Sequence, residues 1–100
     1  MMYYIRQIFF TIIEGNNENK ILNEIKSLIR IPNINKHVLA KKAINQNYIY
    51  LQKDYDYTLI LYFCNQNDID KYILHTLHQN FVVKVANLVR MQVYDYVSID

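Results

Sequence analysis

Three side chains in the second half of the sequence could share one piece of chemistry. Tyr72, His75 and His78 follow one another at intervals of three, and residues three or four apart lie on one face of a helix. A histidine titrates near pH ~6.5, which suits proton transfer. A tyrosine hydroxyl can donate to a developing oxyanion. Together they describe an acid–base pair, with His78 as general base and Tyr72 as the group that orients or stabilises an enolate. A plainer reading uses the same residues: His75 caps or ends a helix, and Tyr72 is a core residue with a satisfied hydroxyl.

Other chemistries fit less well. His75-Thr76-Leu77-His78 has no third ligand nearby, and catalytic zinc takes three. His37 is far away in sequence, on a predicted strand. A helix histidine could act as an axial haem ligand, but nothing in the spacing requires it, so no cofactor and no metal are expected. A chain with a single glycine, Gly15, cannot build a phosphate-cradling loop. Cys64 closes an apolar strand and is expected to be a buried small hydrophobe.

The elements that must position these residues follow from periodicity. Residues 4–13 alternate as a strand, with Arg6, Ile8, Phe10 and Ile12 on one side and Ile5, Gln7, Phe9, Thr11 and Ile13 on the other. Glu14-Gly15-Asn16-Asn17 breaks it, and Gly15 suits a turn that other residues resist. A helix is predicted over roughly 17–30, capped by Asn17, with Ile21, Ile25, Leu28 and Ile29 as its stripe and Leu22 widening it. Pro32 stops it. Residues 36–44 read as a second strand, and Tyr48 to Leu51 as a short extension or a packed loop. Residues 55–64 are the clearest strand, apolar on both sides and therefore central. Asn65 then caps a helix whose stripe is Ile69, Tyr72, Ile73 and Leu77. A second helical run over 77–88 and a strand over 90–98 complete a β-α-β-β-α-α-β order. This is an α+β chain of the split βαβ, or ferredoxin-like, kind, with a four-stranded antiparallel sheet and its helices on one face.

Composition bounds what such a domain does. One hundred residues fill a single domain, 1–100. A net charge of +2 without a basic stripe gives no nucleic-acid footprint. No run of 18 apolar residues exists to span a membrane, and residues 1–6 lack the pattern of a secretory signal. One cysteine rules out an internal disulfide and fits a reduced, cytoplasmic setting. Yet 52% of the residues are hydrophobic, with ten tyrosines and four phenylalanines, in a chain too short to bury so much alone.

That excess points to self-association. Helices shelter one face of an antiparallel sheet. Here Ile8, Phe10, Ile12, Ile60 and Tyr62 are expected on the side opposite Phe9, Leu59, Leu61 and Phe63, which leaves an apolar face bare. A second copy across a two-fold axis is the simplest cover. An interface of about 1,600 Å², about 65% apolar, contributes on the order of 25 kcal/mol gross against a cost of roughly 4–15 kcal/mol.

Tyr55-Asp56 opening a strand, Phe63, Tyr72 with His75 and His78, Phe81-Val82 and Asp95-Tyr96 follow one another in an order and spacing that resemble the stress-responsive A/B-barrel domain family. This family belongs to the dimeric α–β barrel superfamily. The resemblance spans nearly the whole chain. The opening Ile5-Arg6-Gln7-Ile8 has Gln7 where the family commonly has histidine, and His75-Thr76-Leu77-His78 stands for its His-Pro-x-His. The resemblance implies a homodimer with two four-stranded sheets face to face and helices outside. By analogy with a plant polyketide cyclase of this family, it implies a pocket between helices and sheet that takes a small apolar ligand. Tyr72 and His78 fall at its catalytic pair, and Gln7 and Tyr57 at two further pocket histidines. The candidate pocket is thus Gln7, Phe9, Tyr57, Leu59, His75 and Phe81, beside the pair Tyr72 and His78. A cyclase-like acid–base enzyme and a monooxygenase of the same superfamily stand as alternatives to a non-catalytic binding barrel.

Overall fold

The computed structural model describes residues 2–43 and 54–99. In chain order the elements are β1 (Tyr4–Ile12), α1 (Glu18–Ser27) with a 3-10 turn at Leu28–Arg30, β2 (Lys36–Lys41), β3 (Tyr57–Phe63), α2 (Gln66–Leu74), α3 (Thr76–Val85) and β4 (Val89–Val97). The strands form one sheet in the order β2-β3-β1-β4, with every neighbouring pair antiparallel. This is the predicted order of elements. The expected extension over Tyr48 to Leu51 lies outside the described residues.

Local chemistry sets the element ends. Gly15 turns with φ +90, a backbone conformation that L side chains rarely adopt. The Asn17 side chain accepts from the Lys20 amide at 3.1 Å, capping α1 with Glu18 in its first turn. Asn17→Ala is expected to cost about 1 kcal/mol, read as a lower urea midpoint at unchanged slope. Ile31 is extended (φ −66, ψ 133) ahead of Pro32. The Asn65 side chain accepts from the Asp68 amide at 2.9 Å and starts α2. Asp56, next to the start of β3, ties the sheet end together. Its amide donates to the Phe10 carbonyl at 2.7 Å, and its carboxylate accepts from the Ile12 amide at 2.8 Å.

The core sits between the helices and one sheet face. Ile8 and Phe10 of β1 and Tyr57, Leu59, Leu61 and Phe63 of β3 meet Ile21, Ile25, Leu28, Ile69, Tyr72, Phe81 and Val85 of the helical layer. The β1–β3 register pairs Ile8 with Leu59, Arg6 with Leu61 and Phe9 with Thr58. Directly opposed residues of an antiparallel pair share a face, which corrects the expected faces. Ile8 and Phe10 lie with Leu59, Leu61 and Phe63 under the helices, and Phe10 is fully buried. Phe9 joins Ile60 and Tyr62 on the open face. The apolar excess is real, but it is carried by a different set of residues.

That open face holds Gln7, Phe9, Thr58, Ile60 and Tyr62 in the middle strands, with Tyr94 and Tyr96 on β4. Phe9 packs edge-on against Tyr55 (5.1 Å) and Tyr94 (6.0 Å), and Tyr3 against Tyr62 (5.9 Å). β4 is an edge strand on which only Val89 is buried. Cys64 is exposed, not buried as expected. It falls one residue past β3, beside the Asn65 cap, where the alternation no longer governs it. Its sulfur accepts from the Asn35 side-chain amide at 3.6 Å.

Candidate functional site

The candidate residues divide between the two faces of the sheet. Tyr72, on the inner side of α2, is fully buried, with its ring edge-on to Phe63 (5.6 Å) and to His78 of α3 (4.9 Å). Tyr57, Leu59 and Phe81 belong to the same helix-side core. The Tyr57 hydroxyl donates to Glu18 at 2.9 Å, and the Phe81 ring meets Phe10 at 6.0 Å. Gln7 and Phe9 face the other way. The Gln7 amide donates to the Thr58 hydroxyl at 3.2 Å, which itself donates to the Ile8 carbonyl at 3.0 Å.

His75 does what the plainer reading gave it. It separates α2 from α3 with an extended backbone (φ −67, ψ 143), and its Nδ1 accepts from the Leu77 amide at 3.0 Å. Its own amide closes α2 onto the Tyr72 carbonyl at 3.2 Å. By breaking the helix there, His75 sets where His78 meets Tyr72.

Tyr72 departs from the plainer reading. Its hydroxyl is buried without a hydrogen-bond partner among the described residues. Buried polar groups are normally paired, so an orphan at a candidate site requires a reason. Burial drives its pKa well above the ordinary tyrosine value, opposed in part by the positive charge of Arg6. His78, half-buried, moves the other way. Burial lowers its pKa and Arg6 lowers it further, against a hydrogen bond with the Ile73 backbone that raises it. At neutral pH the pair is therefore a protonated phenol beside a neutral imidazole: a donor and a base.

Arg6 is the residue that the sequence reading passed over. Neighbouring Gln7 in β1, it occupies the helix-side row with Ile8 and Phe10, and its side chain is only 15% exposed. Nε and Nη2 donate to the two Asp95 carboxylate oxygens at 2.8 and 2.9 Å. Asp95 lies directly across on β4, and its carboxyl is held below the usual range by those hydrogen bonds. A signal existed: an arginine in the apolar row of a strand needs a carboxylate opposite, and Asp95 is the acid of the last strand.

Two open cavities lie elsewhere. One, of about 370 Å³, is lined by Phe9, Asp54, Tyr55, Gln92, Tyr94 and Tyr96. The other, of about 430 Å³, is lined by Thr11, Asp54, Arg90 and Gln92. Both belong to the open sheet face. Among the described residues no group of His, Cys, Asp and Glu could hold a metal ion. Among the described residues no helix is long and apolar enough to cross a membrane.

A family model described as the stress responsive A/B barrel domain matches residues 5–98. The chain belongs to this family. The barrel domain is similar in structure to a ferredoxin-like protein of the same family from Mesorhizobium loti, at 20% identity and a TM-score of 0.79, with 100% of each chain covered. A dimeric ferredoxin-like protein of unknown function from Thermobifida fusca aligns at 12% identity and a TM-score of 0.75, covering 97% of this chain and 92% of that one. SnoaB, a cofactor-independent oxygenase from Streptomyces nogalater, aligns at 11% identity and a TM-score of 0.69, covering 99% of this A/B barrel domain and 93% of that chain. At these identities the likeness is one of fold. No curated protein matches the sequence.

Proposed function

We propose that this domain is a homodimeric barrel that binds a small apolar ligand between its helices and its sheet, next to Tyr72 and His78. The observation that carries the ligand reading is the fully buried Tyr72 hydroxyl, which has no hydrogen-bond partner among the described residues. A ligand carbonyl or phenolic oxygen would accept from it and remove the cost of an unsatisfied buried donor. The half-buried His78 ring packs edge-on against the Tyr72 ring at 4.9 Å, and in this reading a ligand enters by displacing it. The dimer rests on the open face, where Phe9, Ile60, Tyr62, Tyr94 and Tyr96 form an apolar, largely aromatic surface with no helix above it among the described residues. The Thermobifida fusca relative is described as dimeric. An exposed single thiol, Cys64, suits the reduced cytoplasm.

A second reading is favoured by the protonation states. A neutral His78 takes a proton from carbon, and the Tyr72 hydroxyl donates to the enolate oxygen that results, which is the work of a cyclase-like acid–base enzyme. The oxygenase relative makes a monooxygenase a third possibility of the fold, with no residue of this chain arguing for it beyond the same pair.

Light scattering tests the assembly: a particle of twice the 12.1 kDa chain mass is expected at micromolar concentration. Titration with acetophenone, followed by amide and side-chain NMR shifts, tests the site. Shifts at Tyr72, His78 and Phe81 are expected, with binding weakened about tenfold by Tyr72→Phe. Shifts confined to the open-face residues would reject the helix-side site.

A further inference from the structure

The helix-side row of β1 carries a cation where its neighbours are apolar. Arg6 is opposed by Leu61 on β3 and by Asp95 on β4. One step along the same side of β3 is Phe63, on whose ring Tyr72 packs, and His78 packs on Tyr72 in turn. The register therefore sets Arg6 in the helix-side row beside Phe63, on whose ring Tyr72 packs, and the Arg6 charge acts on a Tyr72 hydroxyl that has no hydrogen-bond partner among the described residues. We propose that Arg6 makes this site selective for a small apolar anion, a carboxylate or a comparable oxyanion on an apolar body, and that Asp95 is the carboxylate which the ligand displaces.

The two ends of the Arg6–Asp95 pair differ in a way that permits this exchange. The Arg6 side chain is 15% exposed and Asp95 51%. Arg6 stays largely desolvated throughout, so it needs an anionic partner at all times. Asp95 already reaches water and loses little by returning to it, as half-exposed ion pairs add little stability. The pair occupies two of the five guanidinium donors, through Nε and Nη2. An arriving carboxylate accepts from the same fork and from the Tyr72 hydroxyl, which Asp95 leaves unused. Charge-assisted bonds of this kind are roughly twice as strong as neutral ones. The positive charge of Arg6 acts on both Tyr72 and His78, which places all three within one electrostatic neighbourhood. His78, being neutral, does not compete for the anion.

The inference rests on the reading that the helix-side site takes a small apolar ligand, and the test separates the two. The probes are benzoate and its neutral isostere benzamide, titrated by NMR at neutral pH. Benzoate is expected to bind about tenfold more tightly than benzamide. Arg6→Gln is expected to bring the two to equal affinity. Asp95→Asn is expected to strengthen benzoate binding several-fold and leave benzamide unchanged, because the competing carboxylate is gone. A purely structural ion pair predicts the opposite, with both variants losing stability and neither changing the ratio. If Arg6→Gln fails to fold, the Asp95→Asn ratio decides alone. Equal binding of benzoate and benzamide to the unaltered protein overturns the anion proposal and leaves the ligand reading standing. Failure of both probes to shift Tyr72 or His78 overturns both.

Discussion

Phe10→Ala is expected to cost about 3–5 kcal/mol, whereas Phe9→Ala, one residue away, costs no more than about 1 kcal/mol in the monomer. Phe10 is fully buried and meets Phe81 edge-on at 6.0 Å between sheet and helices. Removing its ring leaves a cavity that the sheet and α3, fixed by their own hydrogen bonds, cannot fully close. Phe9 faces the open side with Tyr55 and Tyr94, and its loss removes a contact surface, not a core. Chemical denaturation at several protein concentrations separates the two roles. The Phe10 effect stays constant with concentration. The Phe9 effect grows with it, since a residue at a dimer interface acts on stability through mass action. For a domain of this size each kcal/mol lowers the melting temperature by roughly 4–8 °C, so the Phe10 variant stands out in a single scan. If Phe9→Ala proves the more damaging in dilute solution, the register of β1 is misplaced by one residue and the site falls with it.

That one-residue distinction marks where the sequence stops being legible. Alternation within β1 separates Arg6, Ile8, Phe10 and Ile12 from Gln7 and Phe9 without ambiguity, and the structure keeps that separation. What alternation lacks is the register between strands, which decides that Ile8 sits with Leu59 and Phe9 with Thr58. Both sets in both strands are apolar, so no pattern could pair them. Asp56 fixes the answer through hydrogen bonds to Phe10 and Ile12, a long-range contact invisible in local spacing. The caps, by contrast, were local and readable: Asn17 and Asn65 each bond three residues ahead. His75 was readable as a cap for the same reason. Gln7 entered the candidate pocket by its match to a family position, and the sheet turns it away. Arg6 has its side chain on the helix side, and only the pairing with Asp95 explains why a charge is tolerated there. Cys64 escapes the strand's alternation because β3 ends one residue before it.

Tyr72→Phe is expected to stabilise the ligand-free protein by about 1–3 kcal/mol at neutral pH, the reverse of what most core substitutions do. The ring contacts with Phe63 and His78 are kept, and what is lost is a buried hydroxyl without a partner among the described residues. The gain is expected to widen in alkali, and the sign follows from the direction of the shift. The Tyr72 pKa is raised on folding, chiefly by burial, so the folded state holds this proton where the unfolded state, titrating near pH ~10, has released it. The unaltered protein therefore loses stability as pH rises above ~10, and the phenylalanine variant lacks that loss. Comparing the two proteins cancels the other nine tyrosines. Urea midpoints at pH 7 and pH 10.5 give both quantities. Saturating ligand should reverse the ranking, because the hydroxyl then has its acceptor and only the unaltered protein gains from it. A variant that is more stable when empty and less stable when loaded marks a hydroxyl retained for binding at the expense of the fold. Equal stability under all conditions would mean that water already satisfies Tyr72, and the argument for a ligand there would lose its foundation.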